Sequence, residues 1–537
     1  MPDVPVPDDA AGLRAANARL RGLLADRDAD IEGLRLELDA ARERERRLEL
    51  RLAELERRLG MDSSNSGTPS SKERIGAKEE RKARQRQRSE RERSKDRKRG
   101  GQPGHPGKGL ARDPEPGERK EAPPAAECRK CGASLDGAAP AGQRWAQSWD
   151  VQVTRTVTEW LLPGLECPCC EEATFAAPPP GLHAGSVSYG PVLNAAAVLL
   201  SACGNVPPER AAQVIGMLLG APVPAGWVDK ASARLSAMLG KAGLDEAMLA
   251  ALAARDVLAA DETPVNVLAG GKGKAPQAAG QQDTEEADPE DKDGKAPAGA
   301  PHALVVRTPD GLLTLLTALS SRRKGEVGAG IPAAFTGILI TDGYTGYQHL
   351  LARLAGIQQC CQHVIRRCRA VAALGPGSLQ SWAEDVIALL REAHQAVEQA
   401  RARGRTTLDQ EILDDLRERY DKAVRSGIIH NRLRDWPSGN HPGYTLGCWL
   451  RHYKEQVLLF TRDFRADWTN NVSERGAKAA KRHQAVSGYW HSLATLARWC
   501  RIKSYLDSAT AHGHTAIDAI RTALEGKPWL PPLPAIA

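Results

Sequence analysis

From Leu13 to Leu59 two apolar seams run in step along the chain, and they permit little except a long helix. One passes through Leu13, Leu20, Arg27, Leu34, Ala41, Leu48 and Leu55; the other passes through Asn17, Leu24, Ile31, Leu38, Glu45, Leu52 and Leu59. Both repeat every seven residues, the a and d spacing of a coiled coil, and nearly every position between them is polar. Asn17 at an a position favours a parallel, in-register pair, whereas Arg27 and Glu45 weaken the seam. Residues 1–60 are therefore expected to be a dimerisation arm. A single amphipathic helix packed on its own domain is the alternative.

A chain of 537 residues exceeds one ordinary core, so two to four domains are expected. Its charge is unevenly spread. The net formal charge is +7, yet Lys72 to Arg99 alone carry fourteen Lys or Arg against six Asp or Glu, which leaves the remainder near −1. The run follows a flexible break at Ser63 to Ser71 and ends at Gly100-Gly101-Gln102-Pro103-Gly104-His105-Pro106-Gly107, which cannot continue a helix. Residues 61–120 thus read as a basic flexible linker, suited to a polyanion such as DNA or serving only as a solvated spacer. The chain opens on Met1-Pro2-Asp3, with acid where a secretory leader carries base, and no apolar stretch approaches a membrane span. A cytoplasmic protein without membrane contact is the expectation.

In that compartment the eleven cysteines should stay reduced, which turns paired Cys-x-x-Cys motifs into candidate metal sites. Cys128 with Cys131 and Cys167 with Cys170 offer four thiolates, the donor set of tetrahedral zinc. Val151 to Val157 alternates like a strand between them, so residues 121–184 are read as a zinc ribbon with a structural Zn2+. Chance pairing is the alternative, and Cys169 is a spare thiol able to replace a neighbour.

Residues 185–255 alternate apolar helical stretches with turns such as Val206-Pro207-Pro208, giving a small helical domain. From Val257 the texture changes to short apolar strands: Val257 to Asp261, Ala303 to Val306, Leu312 to Leu316, Gly337 to Asp342 and Ile357 to Cys361, with a helix over Tyr347 to Leu354. Residues 269–301 hold almost no large apolar side chain and read as a disordered insertion, and residues 378–460 as an amphipathic helical one. The fold class expected is multidomain α+β, with an α/β unit over 256–510 and a helical tail over 511–537.

Two carboxylates close buried strands in this unit, Asp261 and Asp342. A third, Glu474, follows Asn470-Asn471, a candidate helix cap, and heads a helix rich in Lys and Arg. Asp463 and Asp467 compete for the third position, but Glu474 has the longer reach and the helical setting. Carboxylates converging in this way suit hard divalent cations and phosphodiester chemistry. Glu262 should point away from Asp261 by strand alternation.

The motifs around these acids occur in a fixed order. They are Ala260-Asp261-Glu262-Thr263, Thr341-Asp342-Gly343-Tyr344, Cys360-x-x-His363-x-x-Arg366 and Asn470-Asn471-x-x-Glu474-Arg475. Val486-Ser487-Gly488, Arg501 to Leu506 and Pro528-Trp529-Leu530-Pro531 follow. The series resembles the DDE-type transposases of the insertion-sequence family numbered sixty-six, the TnpC-like proteins of bacterial mobile elements. The Gly101 to Gly107 segment and the cysteine module match that family's N-terminal half.

The resemblance implies a ribonuclease-H-like core, with Asp261, Asp342 and Glu474 as catalytic acids holding Mg2+ or Mn2+. It implies double-stranded DNA as substrate, at the element ends and at the target, with accessory proteins of the same element as further partners. His363, Arg366, Arg475 and Lys478 are DNA-contacting or supporting residues on this reading. His363 is equally a core or capping histidine, with a Cys360/His363 metal site as a third option. Gly476-Ala477-Lys478 departs from the Asp-Leu-Arg common in relatives; Lys478 keeps the charge, and Gly476 is expected to loosen the helix. A nuclease that never joins strands, or an inactive transposase-derived DNA-binding protein, are the rival functions.

Overall fold

The computed structural model describes residues 10–60, 110, 112–179, 182–268, 299–374, 377–437 and 439–532. The basic run, the Gly101 to Gly107 segment and residues 269–298 of the expected insertion lie outside the described residues.

The heptad stretch is one continuous helix, α1, over Ala10–Gly60. At about 1.5 Å per residue it is roughly 75 Å long. Its seam leucines, among them Leu13, Leu20, Leu24, Leu34, Leu38, Leu48 and Leu52, stay exposed. Arg46 pairs with Asp435 of the distant helical insertion. The cysteine region forms a short antiparallel hairpin, β1 Gly164–Glu166 and β2 Ala173–Phe175. Val151 to Val157, expected to be a strand, carries no ladder and its valines are exposed, because no strand among the described residues offers it partners.

Four helices follow: α2 Pro191–Val198, α3 Pro208–Leu219, α4 Ala225–Lys241 and α5 Leu244–Ala253. Pro sits in the first turn of α2 and of α3, and Gly220 closes α3 in the left-handed conformation.

The central sheet has five strands: β3 Val257–Pro264, β4 His302–Arg307, β5 Thr314–Leu319, β6 Ile338–Thr341 and β7 Gly356–Gln359. Their order is β5-β4-β3-β6-β7, with β3, β4 and β5 antiparallel and β3, β6 and β7 parallel. Helix α6, Lys324–Ala329, lies between β5 and β6. The expected helix at Tyr347 is a 3-10 helix, Thr345–Ala352.

Side-chain alternation splits the sheet into two faces. Leu258, Ala260, Leu304, Val306, Leu339 and Ile357 pack with the α2–α5 helices in one core. Val257, Ala259, Ile338 and Ile340 face the other way, against α7 (Cys361–Ala372), α8 (Gly377–Ala402) and α9 (Gln410–Asn431). The insertion continues through α10, Pro442–His452, and two single-turn helices, α11 Lys454–Val457 and α12 Leu459–Arg462. The chain returns to the sheet in α13, Asn471–Ser487, and ends in α14, Leu493–Ala511, and α15, Ala516–Leu524. Among the described residues no helix is long and apolar enough to cross a membrane.

Candidate active site

On β3 every residue from Val257 to Ala260 is buried, and Asp261 is the first side chain to break the apolar run. Alternation sets it on the face of Val257 and Ala259. One strand over, Ile338 and Ile340 share that face, so Asp342, directly after β6, continues it. Gly343, at φ 101°, turns the chain there, and the Tyr344 amide donates to Asp342 Oδ1 at 3.0 Å.

Burial pushes the Asp261 carboxyl well above the usual carboxylate range, and the nearby charges of Asp342, Glu262 and Glu474 push the same way, against His363. Asp261 therefore stands within electrostatic reach of Asp342 and Glu474, although among the described residues the three carboxylates are not gathered within 4.8 Å of one another.

Glu474 lies in the first turn of α13. Asn470 precedes the helix but does not cap it with its side chain. Its Nδ2 instead donates to Ala260 O at 2.7 Å, its backbone N–H to Cys360 Sγ at 3.2 Å, and its carbonyl accepts from Glu474 N at 3.2 Å. One buried amide thus ties the start of α13 to the residue before Asp261 and to the end of β7. Gly476 does not loosen the helix as expected. It is buried, and a Cβ there would stand 2.7 Å from Val305 Cγ1, so glycine allows α13 to lie against β4. Asp467, the rival third acid, is 42 % exposed and 3.5 Å from Arg401; Asp463 is bound by Arg465 at 2.6 Å.

His363 stands in the first turn of α7 with Nδ1 3.9 Å from Glu474 Oε1 and Nε2 3.3 Å from Arg366 Nη1. Burial disfavours its charged form, but the Cys360 sulfur and Asp342 outweigh burial and raise its pKa to about 9. Burial likewise opposes ionisation of Cys360, yet His363 and the Asn470 amide bring that thiol below its usual range. Cys360, His363 and Glu474 have ligand atoms all within 4.8 Å of one another. Among the described residues, His363 Nδ1 and Glu474 Oε1 are both buried without a hydrogen-bond partner. Arg475 and Lys478 are exposed on α13.

Behind this face, Glu262 is fully buried. It accepts from Arg322 Nε at 2.7 Å and from Tyr347 Oη at 2.6 Å. Its side chain points away from Asp261, as alternation requires. Nothing in the local pattern of Arg322 or Tyr347 marks them as site residues, and Asn470, legible as a cap and part of a motif, carries no sign of partners so distant along the chain.

In the cysteine module, backbone amides of Lys130 and Cys131 and the Cys131 thiol hold Cys128 below the usual thiol range. Cys169, Cys170 and the Cys170 thiol do the same for Cys167. Each pair closes a tight turn, with Gly132 N donating to Cys128 O and Glu171 N to Cys167 O, both at 2.9 Å. Among the described residues the four sulfurs are not gathered within 4.8 Å of one another.

No curated protein matches the chain. The sequence model of the family described as Transposase IS66 family matches residues 186–497, a span that holds Asp261, Asp342, Cys360, His363 and Glu474. With more than half its length in that match, the chain belongs to the IS66 family of transposases.

Proposed function

We propose that this chain cuts DNA at the ends of a mobile element and joins those ends to target DNA, with Asp261, Asp342 and Glu474 as catalytic acids. The family brings transposition-related function, DNA binding and divalent-metal dependence in general terms. One observation carries the finer reading: Asp261 stands on β3, Asp342 directly follows the neighbouring parallel strand β6, and the charges of Asp342 and of Glu474 on α13 both act on the buried Asp261 carboxyl. The sheet order, three antiparallel strands followed by two parallel ones, supports a ribonuclease-H-like core interrupted by the α8–α12 insertion.

The donors fit hard divalent ions, since Asp261, Asp342 and Glu474 offer only oxygens and the buried Glu474 Oε1 has no hydrogen-bond partner among the described residues. These three would hold Mg2+ or Mn2+, which supply, when bound, the charge that stabilises the entering and leaving oxygens of the displacement. The chain's own residues do the rest. Asn470 fixes the start of α13, which carries Glu474, against β3, which carries Asp261. Arg475 and Lys478, exposed on α13, and Arg366 on α7 offer positive charge to the phosphates flanking the scissile bond. In the first reaction water attacks the phosphorus and the 3′ oxygen leaves. In the second that 3′ hydroxyl attacks a target phosphodiester and displaces a target 3′ oxygen. One ester bond forms as another breaks, so no external energy source is needed.

The exposed leucine seam of α1 supports pairing of two protomers, which would let two element ends react together. The turns at Cys128 and Cys167, with amides directed to sulfur, have the donor chemistry of a structural zinc module that binds DNA beside the 185–255 helices.

The test uses the full chain with Mg2+, a labelled duplex bearing the repeats that flank its coding region, and a plasmid target. Wild type should nick and then join the label. Glu474→Gln should bind the duplex and do neither, while Asp467→Asn stays active. Cutting without joining would make the protein a nuclease, binding without cutting an inactive DNA-binding protein. An active Glu474→Gln beside a dead Asp467→Asn would overturn the acid assignment.

A further inference from the structure

We propose that Cys360, His363 and Glu474 form a second cation site, for a thiophilic divalent ion of the zinc class, which shares only Glu474 with the oxygen-lined site. The donors are one thiol sulfur, one imidazole nitrogen and one carboxylate oxygen, all within 4.8 Å of one another. Sulfur and nitrogen donors select zinc-like ions over Mg2+, which takes oxygen ligands in an octahedral shell. Three protein ligands with a fourth position open is a common zinc arrangement.

The two unsatisfied atoms are the strongest observation. His363 Nδ1 and Glu474 Oε1 stand 3.9 Å apart as an ion-pair contact, and although the Cys360 sulfur also acts on the His363 ring, neither buried atom makes a hydrogen bond of normal length among the described residues. A buried polar atom left unpaired costs free energy, and a shared ion would satisfy both at once. Zinc bonds of about 2.0–2.3 Å in a tetrahedron set donors roughly 3.3–3.8 Å apart, so the pair need close by only about half an ångström.

The backbone holds the donors in register. Cys360 is the N-cap of α7 and His363 lies in its first turn, so the two project from one end of one helix. Asn470 joins that end to the start of α13 through its N–H to Cys360 Sγ at 3.2 Å. Binding requires a thiolate and a neutral imidazole whose proton sits on Nε2, so protons are released on loading and Arg366 turns away from Nε2. Occupancy would engage Glu474 Oε1 and draw it from Asp261 and Asp342. That consequence rests on the function proposed above, whereas the site itself does not.

The experiment reads metal directly, without DNA, so its failure and a failure of strand transfer are distinguishable. Full-length wild type, Cys360→Ala, Cys360→Ser and His363→Gln, each with zinc filling the amino-terminal cysteine module, are titrated with Co2+ in excess Mg2+. Circular dichroism confirms that each variant is folded. Wild type should take up one more equivalent than Cys360→Ala, with a sulfur-to-cobalt charge-transfer band and the intense visible bands of tetrahedral cobalt. Cys360→Ser, which keeps the shape of the side chain, should lose the charge-transfer band. His363→Gln should keep the thiol but bind at least about tenfold more weakly. Equal uptake and identical spectra in all four proteins would overturn the proposal, as would an extra equivalent that shows no sulfur band and is displaced by Mg2+.

Discussion

The guanidinium of Arg322 clasps Glu262, with Nε at 2.7 Å and Nη2 at 2.6 Å from the same carboxylate oxygen, while Nη2 stands 4.0 Å from Asp342. Removing Arg322 leaves buried Glu262 without its counter-charge, and removing Glu262 leaves Arg322 with the more distant Asp342. Glu262→Ala and Arg322→Ala should each cost about 3–5 kcal/mol, and replacing both by apolar residues of similar volume should recover much of that. Urea unfolding of the single and double variants measures it. Additive losses would mean that the pair is not coupled.

The seat of α13 against β4 depends on Gly476, where a methyl group would press on Val305 at 2.7 Å. Gly476→Ala should improve helix propensity yet destabilise the fold by about 1–3 kcal/mol, because overpacking outweighs propensity. A displacement of Glu474 approaching an ångström should slow strand cleavage about a hundredfold. Thermal unfolding and single-turnover cleavage together check both, and unchanged values in both would mean that the neighbouring side chains give way freely.

The α1 seam should hold protomers together. Leu34 is 66 % and Leu48 is 70 % exposed in the single chain. The double variant Leu34→Asp, Leu48→Asp should shift sedimentation from dimer to monomer and leave the melting of the catalytic core unchanged. A variant that still sediments with wild type would mean that association lies elsewhere.

Cys131→Ser should release one zinc ion per chain, open the turns between residues 128 and 170, and weaken binding to element ends, with the sheet unaffected. Metal analysis that finds no zinc in wild type, with end binding intact, would remove the ion from the module's role.

His441 begins α10, its Nδ1 accepting from Gly443 N at 3.1 Å, and burial together with Arg434 lowers its pKa to about 4. A folded value below the unfolded one, about 6.5, means that the neutral ring stabilises the fold. That contribution is complete above pH 6.5 and is lost as pH falls from there through 4, where a proton on Nδ1 ends the cap. Amide exchange at Gly443 to Leu446, corrected for intrinsic rates, should accelerate over that window in wild type. In His441→Ala it should be fast throughout.

What the sequence disclosed follows the range of the interactions involved. A strand buried on both faces must be apolar almost to its end, so Asp261 and Asp342 stood out against their own neighbours. The long helix α1 was legible for the same reason, since its heptad is a local pattern. Asn470 looked like a cap because asparagine before a helix usually is one; its amide donates instead to Ala260, 210 residues away. Gly476 looked like a flaw for the same lack of tertiary context. Val151 to Val157 alternates correctly for a strand but has no strand among the described residues to pair with, and alternation alone cannot supply one.

The acids arrive on very different schedules. Asp261 and Asp342 are carried by β3 and the end of β6, neighbours in the sheet, whereas Glu474 comes only after α7 to α12, more than a hundred residues beyond Asp342. At a synthesis rate of about 5–20 residues per second that interval is on the order of ten seconds. Through it the emerging chain holds two strand acids and lacks the helix that brings the third, and α13 cannot dock until β4, β3 and the end of β7 are already folded beneath it. On the acid assignment proposed above, a ribosome-bound or prematurely terminated product would therefore be inert toward DNA.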